Sequence, residues 1–185
     1  MIWGRVTRLS RTVVLSALCT AAVCVVPFAA QAQNAPAPKQ ILSPRDTTRA
    51  TVGSANVLVD YGRPSKRGRV IFGGLVPYDS VWRTGANAAT TLVTDKALVI
   101  GGVDVPAGTY TIYSIPSTTA PKLIINKQTG QWGTVYKMDM DLARVPMTVA
   151  TLPASVEKFE IAIKDGKLHL IWDTTDEWVS IAEKQ

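Results

Sequence analysis

The fourteen residues F-E-I-A-I-K-D-G-K-L-H-L-I-W, Phe159 to Trp172, leave this part of the chain little conformational choice. Apolar and polar residues alternate on both sides of Asp165-Gly166, and both turn residues accept positive φ, so a two-residue β-hairpin turn is predicted. The turn fixes the register: Lys164 faces Lys167, then Ile163 pairs with Leu168, Ile161 with Leu170 and Phe159 with Trp172. That face is core. Ala162, His169, Glu160 and Ile171 fall on the opposite face, where His169 reads as a surface histidine. A second hairpin is predicted at Gly101-Gly102, matching Ile100 with Val103 and Leu98 with Val105. Pro106-Ala107-Gly108 then reverses the chain into Thr109–Ile115, and an apolar run follows at Lys122–Lys127. Further strands are expected at Thr48–Val52, Asn56–Tyr61, Ala88–Thr94, Arg144–Thr151 and Trp178–Ala182, and no window carries a 3.6-residue stripe. Nine or ten short strands make an all-β domain, a two-sheet antiparallel β-sandwich or jelly-roll-like fold, with a flattened β-barrel as the alternative.

The N-terminus is a different unit. Arg5, Arg8 and Arg11 precede an apolar run from Val13 to Val26, Pro27 ends it, and Ala30-Gln31-Ala32 supplies small residues for cleavage. This is the pattern of a secretory signal peptide over 1–32, since the run falls short of the ~20 residues a membrane anchor needs. A Pro/Ala linker, 33–42, leads to a single domain, 43–185. The expected product is exported to the periplasm or the medium and spans no membrane once cleaved. Removing 1–32 takes both cysteines, three of twenty basic residues and none of fourteen acidic ones, so the net charge falls from +6 to +3. Without a disulfide the domain depends on its core, and about 150 residues bury roughly 70% of the unfolded surface. A charge of +3 argues against a nucleic-acid partner, which calls for a broad basic face. No pattern specifies an oligomeric state.

Subtraction limits the chemistry further. In the mature chain expected after cleavage, one histidine and no cysteine exclude thiol nucleophiles, zinc-thiolate sites and multi-histidine metal centres, and no Walker loop, dinucleotide fingerprint or G-x-S-x-G elbow occurs. No cofactor and no metal site are expected. Asp139 and Asp141, and the group Asp173, Asp176 and Glu177 in a loop expected between the last two strands, read as solvated acids, with calcium binding or acid–base work as the alternatives.

One segment, Tyr61 to Asn87, has neither helical nor strand periodicity and gathers glycines, prolines, arginines and aromatics. Arg63, Arg67, Arg69, Tyr78, Trp82, Arg83, Thr84 and Asn87 are its candidate ligand-binding residues: planar cationic donors for a carboxylate, phosphate or sulfate, with an aromatic ring to stack on a sugar. Trp82–Asn87 is the densest part. The competing reading is architectural, with Phe72, Leu75, Val76 and Trp82 plugging the core and the arginines capping carbonyls or pairing with Asp60 and Asp79. The sequence therefore points first to a non-catalytic module for an anionic or carbohydrate ligand. An envelope structural protein is the second reading. A hydrolase or isomerase is the third, with Asp79 or the Asp173–Glu177 group as base and Arg83 as electrostatic stabiliser; no catalytic residue is identified.

Ser43-Pro44, Y-G-R-P-S at 61–65, K-R-G-R-V-I-F-G-G-L-V-P-Y at 66–78, V-W-R-T-G-A-N at 81–87, I-G-G at 100–102, P-A-G-T-Y at 106–110 and N-K-Q-T-G-Q-W-G at 126–133 together resemble a family of exported bacterial proteins, domain of unknown function 2911. The resemblance implies a secreted β-rich domain and assigns no activity. Many members carry an acid after Gly-Ala-Asn, whereas this chain has Ala88, which argues against a metal or general-acid role there.

Overall fold

The structure, a computed structural model, describes residues 42–185. The signal-peptide reading, 1–32, and all of the linker but Leu42 lie outside the described residues. Ten strands follow in order: β1 (Arg45–Val52), β2 (Ala55–Gly62), β3 (Thr90–Thr94), β4 (Leu98–Ile100), β5 (Val103–Val105), β6 (Gly108–Ile115), β7 (Lys122–Asn126), β8 (Asp141–Pro146), β9 (Thr148–Lys164) and β10 (Lys167–Glu183). They form two antiparallel sheets, of order β1-β2-β3-β6-β7-β8 and β5-β4-β10-β9. Neither closes on itself, so the fold is an all-β sandwich and not the flattened barrel.

Alternation sets which side chains enter the core. In β2, Ala55, Val57, Val59 and Tyr61 are buried while Asn56, Leu58 and Asp60 face outward. With Leu92, Ile112, Leu123 and Ile125 of the large sheet they form one cluster with Phe159, Ile161, Leu168, Leu170 and Trp172 of the small one. Burial of this kind supplies the main favourable term of folding, at about 25 cal/mol per Å² of apolar surface.

Both hairpins adopt the expected turns and registers: Asp165 and Gly166 have φ of 51° and 68°, Gly101 and Gly102 of 55° and 82°. The Phe159–Trp172 pair is a correction. Beyond Ile171–Glu160 the register shifts at a bulge, so these residues meet by ring contact, with centroids 5.8 Å apart. The run read as one strand at Arg144–Thr151 is split at Met147, whose N–H donates to the Pro121 carbonyl as the chain leaves β8 for the other sheet. The strand read from Ala88 begins at Thr90, and Ala88 instead bridges to Trp132.

The largest departure is β10, which runs unbroken through the expected loop of acids. It folds back on itself at Asp173, where φ is 54° and bulges flank the residue. The Ile181 N–H donates to the Gly166 carbonyl at 2.9 Å, although fifteen residues of extended strand would separate them by about 50 Å. Lys167 Nζ correspondingly lies 3.8 Å from the Trp178 ring centre. The returning half covers the face that alternation had assigned to solvent. His169 is therefore buried, not a surface histidine, and its Nδ1 meets both Asp176 carboxylate oxygens at 3.0 Å.

The solvated-acid reading is corrected in the same way. Asp173 accepts from Lys66 at 2.6 Å and Ser155 at 2.7 Å, and these bonds hold its carboxyl below the ordinary range. Glu177 is 2% exposed, and burial pushes its carboxyl up to about 7 despite an opposing bond from the Ser117 backbone. Asp141 is shared by Asn126, Tyr136 and Arg144. Asp139 alone remains exposed, on a 3-10 turn at Met138–Met140. No group of three or more metal-ligating side chains occurs among the described residues.

Candidate functional site

The segment between β2 and β3 is pinned at both sheets. Ser65 bridges to Lys158 of β9, and Lys66 N–H donates to the Glu157 carbonyl. Trp82 exchanges backbone bonds of 2.7 and 2.9 Å with Ser114 of β6. Its indole stacks on Trp172, with ring centres 5.9 Å apart, and takes edges from Phe159 and Phe72. Trp82 is thus a rivet between the sheets, and its ring is engaged by protein.

Immediately after Trp82 the backbone is strained. Thr84 is wholly buried at φ 50° and Asn87 lies at φ 65°; positive φ is rare for a β-branched residue. Surrounding bonds impose it: Thr84 Oγ1 bonds Ser114 Oγ at 3.0 Å, and Thr90 Oγ1 donates to the Thr84 carbonyl at 2.6 Å. A Cβ on Gly62 would stand 2.0 Å from the Ala86 carbonyl oxygen, so β2 and this turn approach as closely as backbone allows.

The cations divide by partner. Arg63 pairs with Asp46 at 3.0 Å and Glu160 at 3.6 Å and donates Nε to the Phe159 carbonyl. Arg67 donates to the Leu42 carbonyl, and Arg69 to those of Lys66 and Ser65. Arg83 makes no hydrogen bond or ion pair among the described residues, and its Nε is buried without a partner. Its methylene stem rests on Gly133, where a Cβ would come 2.5 Å from Arg83 Cδ and 2.7 Å from the Asn87 carbonyl oxygen. Arg67, Arg69 and Arg83 all lack a carboxylate at ion-pair distance among the described residues.

Three adjoining depressions connect these groups. The largest, 330 Å³, is lined by Arg69, Arg83, Asn87, Ser43, Trp82 and Trp172, with Leu42, Leu75 and Val76 among its apolar members. It shares Arg69 with one of 120 Å³, which shares Arg67 with a third of 300 Å³ containing Arg63. No carboxylate lines the first two. Of the eight sequence candidates the structure brings Arg69, Trp82, Arg83 and Asn87 to one cavity and Arg67 beside it, and leaves Arg63 at the far end. Thr84 is a buried support, and Tyr78 lies over Gly73 and lines none of the three cavities. Asp79, the loop's own candidate base, also lines none of them. A wider depression of 540 Å³ lies on the outer face of β1–β3, where Asp95 is tied to Asn56 by two bonds of 2.7 Å; it presents only Arg49 as a free charge.

Sequence reasoning missed Ser43, whose carbonyl accepts from Asn87 Nδ2 at 3.2 Å, and Gly133, the seat of Arg83. The only sequence signal for either was its place in the motifs that carried the family resemblance. Comparison with known sequences gives one finding: the family described as a protein of unknown function, DUF2911, matches residues 43–181. No curated protein and no solved structure matches the chain.

Proposed function

The chain belongs to the DUF2911 family, whose description assigns no activity, and we propose from the site itself that the protein is a binding module for an anionic ligand held at the Arg69–Arg83 cavity. The observation that carries this reading is Arg83: a half-buried guanidinium, fixed by Gly133, in an acid-free cavity and without a partner among the described residues. A buried donor left unpaired costs roughly 1–3 kcal/mol, so a ligand that supplies the missing acceptor recovers it. Backbone strain at Thr84 supports the same reading, because such strain concentrates at functional sites. The carbohydrate alternative has less support, since the Trp82 ring is occupied by Trp172, Phe159 and Phe72.

The N-terminal pattern supports export through a signal cleaved after Ala32, to the periplasm or the medium. Among the described residues no helix is long and apolar enough to cross a membrane.

Calorimetric titration with inorganic phosphate and with glucuronate, at low and high salt, tests the binding reading. Saturable binding that weakens with salt and disappears in Arg83→Met is expected; methionine keeps the stem packing and removes the guanidinium. A second reading, in which the loop only welds the sandwich, is favoured by the bonds of Arg67 and Arg69 to backbone carbonyls. It predicts no binding by either anion and a loss of stability in Arg83→Met.

A further inference from the structure

Resting on the anion-site reading, we propose that the ligand is an amphiphile, an oxyanion head joined to an apolar body. The 330 Å³ cavity is lined by two kinds of side chain. Arg69 and Arg83 are its cations; its apolar members are Leu42 and Leu75, which are exposed, over the buried Val76 and Trp172 and the partly buried Trp82. This volume equals the liquid share of roughly eleven waters and lies at the small end of sites that enclose organic ligands, so an inorganic anion seated at the arginines leaves Leu42 and Leu75 uncovered.

Exposed apolar side chains adjoin this lining. Leu42 and Leu75 are 54% and 47% exposed, and Val70, 72% exposed, is joined to Leu75 by a 3.0 Å backbone bond. Three large apolar side chains left in water around a basic cavity are the arrangement expected where an apolar tail leaves it. A polar body is poorly served by comparison. Ser43 and Asn87 are the polar uncharged side-chain residues of the lining, and the Asn87 amide is already bonded to the Ser43 carbonyl. Head chemistry and tail chemistry are thus read from different residues around one cavity.

The same chemistry is found in a free acidic amphiphile and in a lipid headgroup, and the test separates them. A series of monoalkyl phosphates, methyl through hexyl, is titrated into the protein with tryptophan fluorescence as readout, since Trp82 and Trp172 line the cavity, alongside inorganic phosphate and glucose 6-phosphate. Affinity should rise about fourfold per methylene buried, glucose 6-phosphate should bind no tighter than methyl phosphate, and Leu75→Ser should shrink the hexyl-to-methyl ratio. A flat series with phosphate binding intact, or glucose 6-phosphate the tightest ligand, overturns the amphiphile while sparing the anion site. Failure of every anion, phosphate included, overturns both. Cosedimentation with phosphatidylglycerol vesicles but not phosphatidylcholine ones, reduced in Leu75→Ser, assigns the head to a membrane lipid. A rising alkyl series without vesicle binding assigns it to a free amphiphile.

Discussion

Arg83 is held in place at a cost to the empty protein, and single substitutions can expose that cost. Its Nε is buried and unpaired, so Arg83→Met should raise stability without ligand by about 1–2 kcal/mol while abolishing anion binding. Chemical denaturation with and without phosphate reads both effects. Gly133→Ala should act in the opposite sense. Its methyl group would meet the Asn87 carbonyl oxygen at 2.7 Å and Arg83 Cδ at 2.5 Å, lowering stability by about 1–3 kcal/mol and weakening phosphate binding as the stem is displaced. A Gly133→Ala protein with wild-type melting temperature and affinity would show that the stem is not seated as described. None of this was legible in the sequence, where Arg83 stood among four other cations of one segment. Their separation into paired and unpaired depends on Asp46, Glu160 and Asp173, which lie far away along the chain.

At the scale of elements, the two hairpins were readable because turn and register are local: positive φ at two adjacent residues determines every pairing for the next few. What failed was non-local. Alternation places His169 on the face opposite Leu168 and Leu170, but only the return of β10 decides that this face is covered too. The acids of 173–177 were expected in a loop because polar residues there interrupt the apolar pattern, whereas they mark a bend inside a strand. Asp173 at this bend also ties the loop to β10 through Lys66. Asn tolerates positive φ, so Asp173→Asn keeps the bend and removes the charge. The native carboxyl lies below its usual 3.8, so its contribution is present above that value and is lost as pH falls through the depressed native range. Asp173→Asn should therefore cost about 1–3 kcal/mol at neutral pH, and the gap to wild type should close in acid; urea titrations at several pH values measure it.

For the whole molecule, Glu177 sets a pH dependence of opposite sign. Its carboxyl is raised from 4.5 to about 7 by burial, so the native state holds a proton that the unfolded chain has released, and stability drains away as pH rises between those values. Glu177→Gln should match wild type near pH 4 and exceed it at alkaline pH by on the order of 3 kcal/mol; equal pH profiles would refute the assignment. The strand that carries Glu177 also governs when the fold can exist at all. β10 is central in the small sheet, between β4 and β9, and Ile181–Glu183 pair with Ile100–Leu98, some eighty residues earlier. A chain emerging from its N-terminus therefore completes the large sheet with one face of the core still open, and the sandwich closes only once β10 is free. Closure of the sandwich therefore hangs on a pairing that spans more than eighty residues of chain, the kind of contact that forms slowly.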